Sequence, residues 1–298
     1  MGGLDMWKIG IIGSESTHAP DFARLLNQPD EKGNFPFGDA RVTAIWGGDA
    51  QRTREVAQTG RIPLVAEKPE DMRGQVDAVM VVIRRGAAHA RYALPFLENG
   101  VPVWVDKPLA VEYADALRMT RAAREHRTLL TGGSTVHFSD DVAALRRTFA
   151  AMRGRGSFRS AAVNYPADLA SPYDGLYFYA PHAADILASV FGPQARSVKT
   201  DVHCGTLTAL VKYPDFVVTV NFSQTNRYYG ILYATDAVEV REITAADIYR
   251  RGMADFLSRL RAREVPEDYE PLLQPLRLLH ALEASIRRGG AETPVAAG

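Results

Sequence analysis

A single cysteine, Cys204, stands in 298 residues, which excludes a disulfide framework and a cysteine-built zinc site within the chain. Neither charge is in excess, because 35 Lys and Arg face 35 Asp and Glu. A nucleic-acid binder that works through phosphate contacts usually carries a basic surplus, so no nucleic-acid partner is expected. No long apolar run occurs. The longest clean stretch, Ala78 to Ile83, falls far short of the roughly 20 residues of a membrane-spanning helix. The opening MGGLDMWKIGIIG lacks the apolar core and small-residue cleavage site of a signal peptide. Internal repeats and low-complexity tracts are also missing. These absences leave a soluble, cytoplasmic protein with no membrane association as the expectation. The length suggests two domains, and 46% apolar with 23% charged residues is ordinary globular usage.

What is present is an alternation of short β-branched runs with helical patterns. Strands are expected at Lys8 to Ile12, Arg41 to Trp46, Asp77 to Ile83, Pro102 to Val105 and from Leu129 onward. Helices are expected at Pro20 to Asn27, Ala50 to Thr59, Ala87 to Asn99 and Val111 to His126. Strands alternating with helices imply a doubly wound parallel sheet, a Rossmann-type α/β domain over residues 1–130. Residues 131–298 change character. Strand-like runs at Phe158 to Tyr165, Ser197 to His203, Thr206 to Tyr213, Phe216 to Phe222, Tyr229 to Thr235 and Val238 to Ile243 follow one another through short turns. They predict an α/β domain with a large, mostly antiparallel open sheet, arranged as a meander. One helix, Pro181 to Phe191, interrupts it, and helices at Ala245 to Arg261 and Leu272 to Arg288 end the chain. The last of these is expected to pack back on the first domain.

The first strand, the turn from Gly13 and the following helix form the βα opening at which a dinucleotide pyrophosphate meets free backbone N–H groups. Counted from Gly13, the pattern G-x-G-x-x-G reads Gly13, Glu15 and His18. Ser14, Ser16 and Thr17 offer hydroxyl donors in place of the lost glycines, and Glu15 must point away from a bound pyrophosphate. The second strand ends at Asp49, suited either to the ribose hydroxyls of NAD or to capping the next helix. Arg52 suits a 2′-phosphate, so NAD and NADP both remain open. Arg84 and Arg85, after the strongest strand, suit an anionic group or surface ion pairs, and His89 suits a cap or a cofactor contact. Lys107, between Asp106 and Pro108 at the carboxyl end of a strand, lies on the ligand-binding edge of such a sheet. His182 and Asp185 share one face at a helix start, and histidine is the usual proton-transfer group. No third ligand accompanies them, so no metal is expected. Tyr177 and Tyr179, in the aromatic stretch before that helix, suit either a wall or a phenol donor.

The order of the βα opening, VDAVMVVIRRGAAHARYALPFLENGVPVWVDKPLA and GLYFYAPHAADILASVFGP resembles the Gfo/Idh/MocA family of NAD(P)-dependent oxidoreductases. Asp106-Lys107-Pro108 looks like the family's E-K-P motif, and His182 with Asp185 looks like its H-x-x-D. The resemblance implies hydride transfer between NAD or NADP and a hydroxyl-bearing carbon of a sugar, cyclitol or similar polyol. It makes Lys107 and His182 the catalytic pair. Tyr179 is a further catalytic candidate as a substitute for an aspartate of the family, and His89, Asp106 and Lys107 are candidates for contact with the cofactor. The resemblance also implies a homodimer or homotetramer formed through the open sheet face. Phe178 stands where the family often has an aspartate. Two other readings stay open: tightly held NAD used transiently in a net elimination or hydrolysis, and a non-catalytic binding protein.

Overall fold

The computed structural model describes residues 6–223 and 225–297. Part of the reading of the N-terminus therefore lies outside the described residues. The chain divides into two compact units. One comprises the residues up to Gly132 together with Tyr249–Glu267, and the other comprises Gly133–Ile248 with the residues from Asp268 onward.

In the first unit the chain runs β1 (Trp7–Ile12), α1 (His18–Asn27), β2 (Ala40–Trp46), α2 (Ala50–Thr59), β3 (Leu64–Val65), β4 (Ala78–Val81), α3 (His89–Leu97), β5 (Val103–Val105), α4 (Tyr113–Glu125) and β6 (Leu130–Gly132). The strands form a six-stranded sheet in the order β3-β2-β1-β4-β5-β6, with every pairing parallel. β4 and β5 are buried along their whole length, as unbroken apolar runs are when helices cover both faces of a parallel sheet. Strand order reverses between β1 and β4, and doubly wound sheets bind ligands in the crevice at such a point. Asn27 ties three elements together. Its Nδ2 donates to the carbonyls of Val42 (2.8 Å) and Gly60 (2.9 Å), and its Oδ1 accepts the Val42 N–H at 2.8 Å.

The second unit contains α5 (Asp140–Gly154), β7 (Phe158–Asn164), α6 (Ala180–Phe191), β8 (Ser197–His203), β9 (Thr206–Lys212), β10 (Val217–Phe222), β11 (Tyr229–Ala234) and β12 (Val238–Glu242). Then come α7 (Ile248–Arg261), α8 (Glu270–Arg287) and β13 (Thr293–Pro294). Its sheet has the order β12-β11-β7-β10-β9-β8-β13. All pairings are antiparallel except β7 with β10, which is parallel. The expected meander is corrected here. β7 inserts between β10 and β11, and parallel partners need a long crossover, which the segment carrying α6 provides. α5 has no counterpart in the sequence reading, although Ser139 caps it by accepting the Asp141 N–H at 3.2 Å and two aspartates follow. α5, α6 and α8 cover one sheet face.

The helix that joins the first unit is α7 rather than the last helix. Met253, Phe256, Leu257 and Leu260 form its buried stripe, with the i, i+3, i+4, i+7 spacing of an amphipathic helix. Phe256 meets Trp104 edge-on, with ring centroids 5.6 Å apart. Arg261 forks onto Asp39 with two bonds of 2.7 Å. α8 packs instead against α6, β8 and β13 within the second unit.

Candidate active site

In the first unit the crevice begins at Gly13, whose φ of +111° is a conformation that L side chains rarely adopt. A Cβ there would stand 2.8 Å from the Ile83 nitrogen, so only glycine lets the ends of β1 and β4 come this close. The Gly13 N–H donates to the Trp46 carbonyl at 2.7 Å. Ser14 is fully buried and its hydroxyl pairs with that of Thr53 at 2.9 Å. Ser16 is also buried, and its Oγ has no hydrogen-bond partner. Thr17 is exposed at the N-cap of α1 and makes no side-chain cap bond. The Glu15 carboxylate accepts the Ser14 N–H through Oε2 and the Arg84 N–H through Oε1, each at 3.0 Å.

Lys107 and Asp106 follow β5 and are almost fully enclosed, at 8% and 4% exposure. Burial is the largest influence on Asp106 and pushes its pKa up. The His18 imidazole, in charge and hydrogen bond, and Lys107 outweigh it and hold the carboxyl down at about 2. Its Oδ2 lies 2.6 Å from His18 Nδ1, while its buried Oδ1 has no hydrogen-bond partner. Burial lowers the Lys107 ammonium below the usual lysine value. Asp106 opposes that shift and Arg84 adds to it. Tyr249 of α7 covers His18 with ring centroids 5.0 Å apart. Burial, and then the Asp106 and Asp21 carboxylates, push the Tyr249 phenol upward. Neither His18 nor Tyr249 stood out in the sequence as part of a site.

The remaining first-unit candidates divide. His89 is fully buried, with Nδ1 2.7 Å from the Pro108 carbonyl and Nε2 2.7 Å from the Ile83 carbonyl. Both ring nitrogens are committed to the backbone, so His89 clamps the turn after Lys107 to the end of β4 instead of facing a ligand. Asp49 is the N-cap of α2 and accepts the Arg52 N–H at 2.9 Å. Arg52 turns toward the crevice, where its Nε donates to the Ser14 carbonyl at 3.3 Å. Arg84 is half-buried beside Lys107, and Arg85 is exposed.

In the second unit α6 presents His182 and Asp185 one turn apart, and Ser134 meets both. The Ser134 hydroxyl lies 2.6 Å from His182 Nδ1, and its N–H donates to Asp185 Oδ2 at 2.9 Å. The same carboxylate oxygen lies 3.2 Å from His137 Nδ1. Tyr165 flanks the His182 ring at 5.4 Å and stacks on Tyr228 at 4.4 Å. Tyr179 is 40% exposed, with its ring 6.5 Å from that of His182. Tyr177 is buried and its hydroxyl donates to Glu283 Oε2 at 2.9 Å, so it is a wall residue tied to α8. Ser134, His137 and Tyr165 were not singled out in the sequence. No local pattern marks them, because their partners lie on distant elements.

Residues 7–134 match the family model GFO_IDH_MocA, described as an oxidoreductase family with an NAD-binding Rossmann fold. The matched residues span the first unit's sheet. Curated relatives include the inositol 2-dehydrogenase of Gluconacetobacter diazotrophicus, 31% identical over 129 residues, which are 42% of this chain and 36% of that protein. The inositol 2-dehydrogenase of Acidothermus cellulolyticus is 27% identical over 241 residues, 72% of this chain and 66% of that one. The chain thus spans less than two thirds of the length of either relative. Among solved structures, the likeness of fold extends over both units. The myo-inositol dehydrogenase from Lactobacillus casei, in complex with NAD(H) and myo-inositol, superposes with a TM-score of 0.81 at 14% identity, covering 98% of each chain. A probable dehydrogenase from Thermotoga maritima gives 0.77 at 15% identity over 97% of this chain and 99% of that one.

Proposed function

We propose that the protein is an NAD-dependent dehydrogenase of a cyclitol or a similar small polyol. The observation that carries this reading is the enclosed Lys107 at the ligand edge of a six-stranded sheet ordered 3-2-1-4-5-6, with its pKa lowered by burial. The crevice residues fit a dinucleotide. The buried Ser16 Oγ lacks a partner, Thr17 offers an exposed hydroxyl, and the Arg52 cation leans over Ser14. Gly13, Ser14, Ser16 and Thr17 would hold the pyrophosphate. Asp49 favours NAD over NADP, because a carboxylate at the N-cap of α2, just past β2, repels a 2′-phosphate, while Arg52 is turned toward the Ser14 carbonyl.

Bound nicotinamide supplies the hydride acceptor. Lys107 holds, by a hydrogen bond, the oxygen of the carbon being oxidised, at an enclosed position where burial disfavours its ammonium form. His182, fixed at Nδ1 by Ser134, takes the proton of the substrate hydroxyl. Asp185 fixes the Ser134 backbone in turn. Asp106 and His18 position Lys107. The single cysteine and the absence, among the described residues, of a helix long and apolar enough to cross a membrane suit a cytoplasmic setting. Calorimetric titration with NAD, NADH, NADP and NADPH checks the cofactor assignment. Binding of NAD or NADH with NADP at least about tenfold weaker is expected. No binding of any form by the folded protein removes the proposal.

The uncovered sheet face is the proposed contact between copies. One register row across it reads Val240, Ile231, Ala162, Thr219 and Leu210, and Val240 and Val238 are 60% and 59% exposed. Sedimentation is expected to give a dimer or tetramer, and Ile231→Lys is expected to dissociate it. A monomeric wild type contradicts the assignment.

A further inference from the structure

Glu15 occupies the place at which the dinucleotide fingerprint has its second glycine, the residue that lets backbone approach the pyrophosphate. Its carboxylate spans the crevice at the point where strand order reverses. Oε2 takes the N–H of Ser14, just past β1, and Oε1 takes the N–H of Arg84, just past β4, both at 3.0 Å. β1 and β4 are the strands between which the order of the sheet turns back. Backbone N–H groups at such a place are the natural donors to an anionic ligand. In this chain an anion of its own already holds two of them. The cationic and polar groups beside it, Arg52 on the Ser14 carbonyl and the partnerless Ser16 Oγ, remain suited to a second anion.

From this geometry we infer that Glu15 sets the affinity for the dinucleotide, as an internal anion that competes with the cofactor's pyrophosphate for the Ser14 and Arg84 N–H groups. The inference rests on the NAD reading above. Two like charges cannot share the two donors, so the side chain swings out of the crevice when the pyrophosphate enters. The work of that displacement, together with the repulsion that remains at close range, weakens binding relative to a glycine at the same position. A glutamine keeps the shape and one acceptor oxygen while losing the charge. It therefore separates the electrostatic cost from the steric one.

The test is calorimetric titration of the full chain and of Glu15→Gln and Glu15→Gly with NAD, and with adenosine as a ligand that lacks the pyrophosphate. Circular dichroism and thermal melting establish that each variant is folded. Both variants are expected to bind NAD at least about tenfold more tightly than the wild type, with adenosine affinity unchanged. Glycine is expected to gain at least as much as glutamine. NAD affinity unchanged or weakened in Glu15→Gln overturns the inference while leaving the NAD reading standing, and so does an equal gain for adenosine. Absence of NAD binding in wild type and variants alike overturns both together.

Discussion

Lys107→Met is expected to lower turnover by about 10²–10⁴-fold, the usual contribution of a positioned proton-transfer group, while NAD affinity stays within a few-fold of wild type. The split follows from the surroundings of the side chain. Lys107 is enclosed at 8% exposure beside Asp106, and burial has shifted its ammonium below the ordinary lysine value. In the proposed site the amine serves the substrate oxygen, and the pyrophosphate is assigned to Gly13, Ser14, Ser16 and Thr17. Methionine is close in volume and leaves the Asp106–His18 pair, at 2.6 Å, in place. Steady-state assays of the folded variant with calorimetry beside them check both halves. Wild-type turnover removes Lys107 from the chemistry. Turnover lost together with NAD binding reassigns it to the cofactor.

His182→Ala is expected to cost a similar order of turnover. Its ring is held at 2.6 Å by Ser134, which also donates its N–H to the Asp185 carboxylate. This arrangement fixes the orientation that a proton acceptor needs. Ser134→Ala is therefore expected to lose less than His182→Ala and to displace the pH profile of kcat, because the hydrogen bond at Nδ1 governs which ring nitrogen carries the proton. Tyr179→Phe provides the comparison. Its phenol is 40% exposed and its ring stands 6.5 Å from the imidazole, so a smaller loss is expected there. A larger loss at Tyr179 than at His182 transfers the proton-acceptor role to the phenol.

The parallel sheet was legible in the sequence because most of its strands are short, mainly apolar runs separated by amphipathic helices, and that pattern is local. The N-cap role of Asp49 was legible for the same reason, since its partner is the N–H three residues on. Other features depend on where distant segments meet. β7 lies between β10 and β11, and nothing in its composition distinguishes that place from the end of a meander. α7 shows an ordinary amphipathic stripe, which says that it packs but not that Phe256 meets Trp104. His18 reads as an isolated histidine because its carboxylate partner is 88 residues away. His89, singled out beside the cofactor, proves to be a clamp because carbonyls from two separate turns converge on its ring. Lys107 and His182 were singled out through motif order, which is read from residue types and their neighbours whatever the packing around them.

The proposed activity is oxidation of a polyol hydroxyl with NAD as hydride acceptor. The direct measurement mixes the purified full chain with NAD and, separately, myo-inositol, scyllo-inositol and a panel of simple hexoses, and follows nicotinamide reduction by absorbance. Reduction is expected with at least one cyclitol or sugar, slowed by at least about 10²-fold in Lys107→Met and in His182→Ala. Reduction that persists undiminished in both variants contradicts it. So does a folded, NAD-bound wild type that reduces no nicotinamide with any of these polyols.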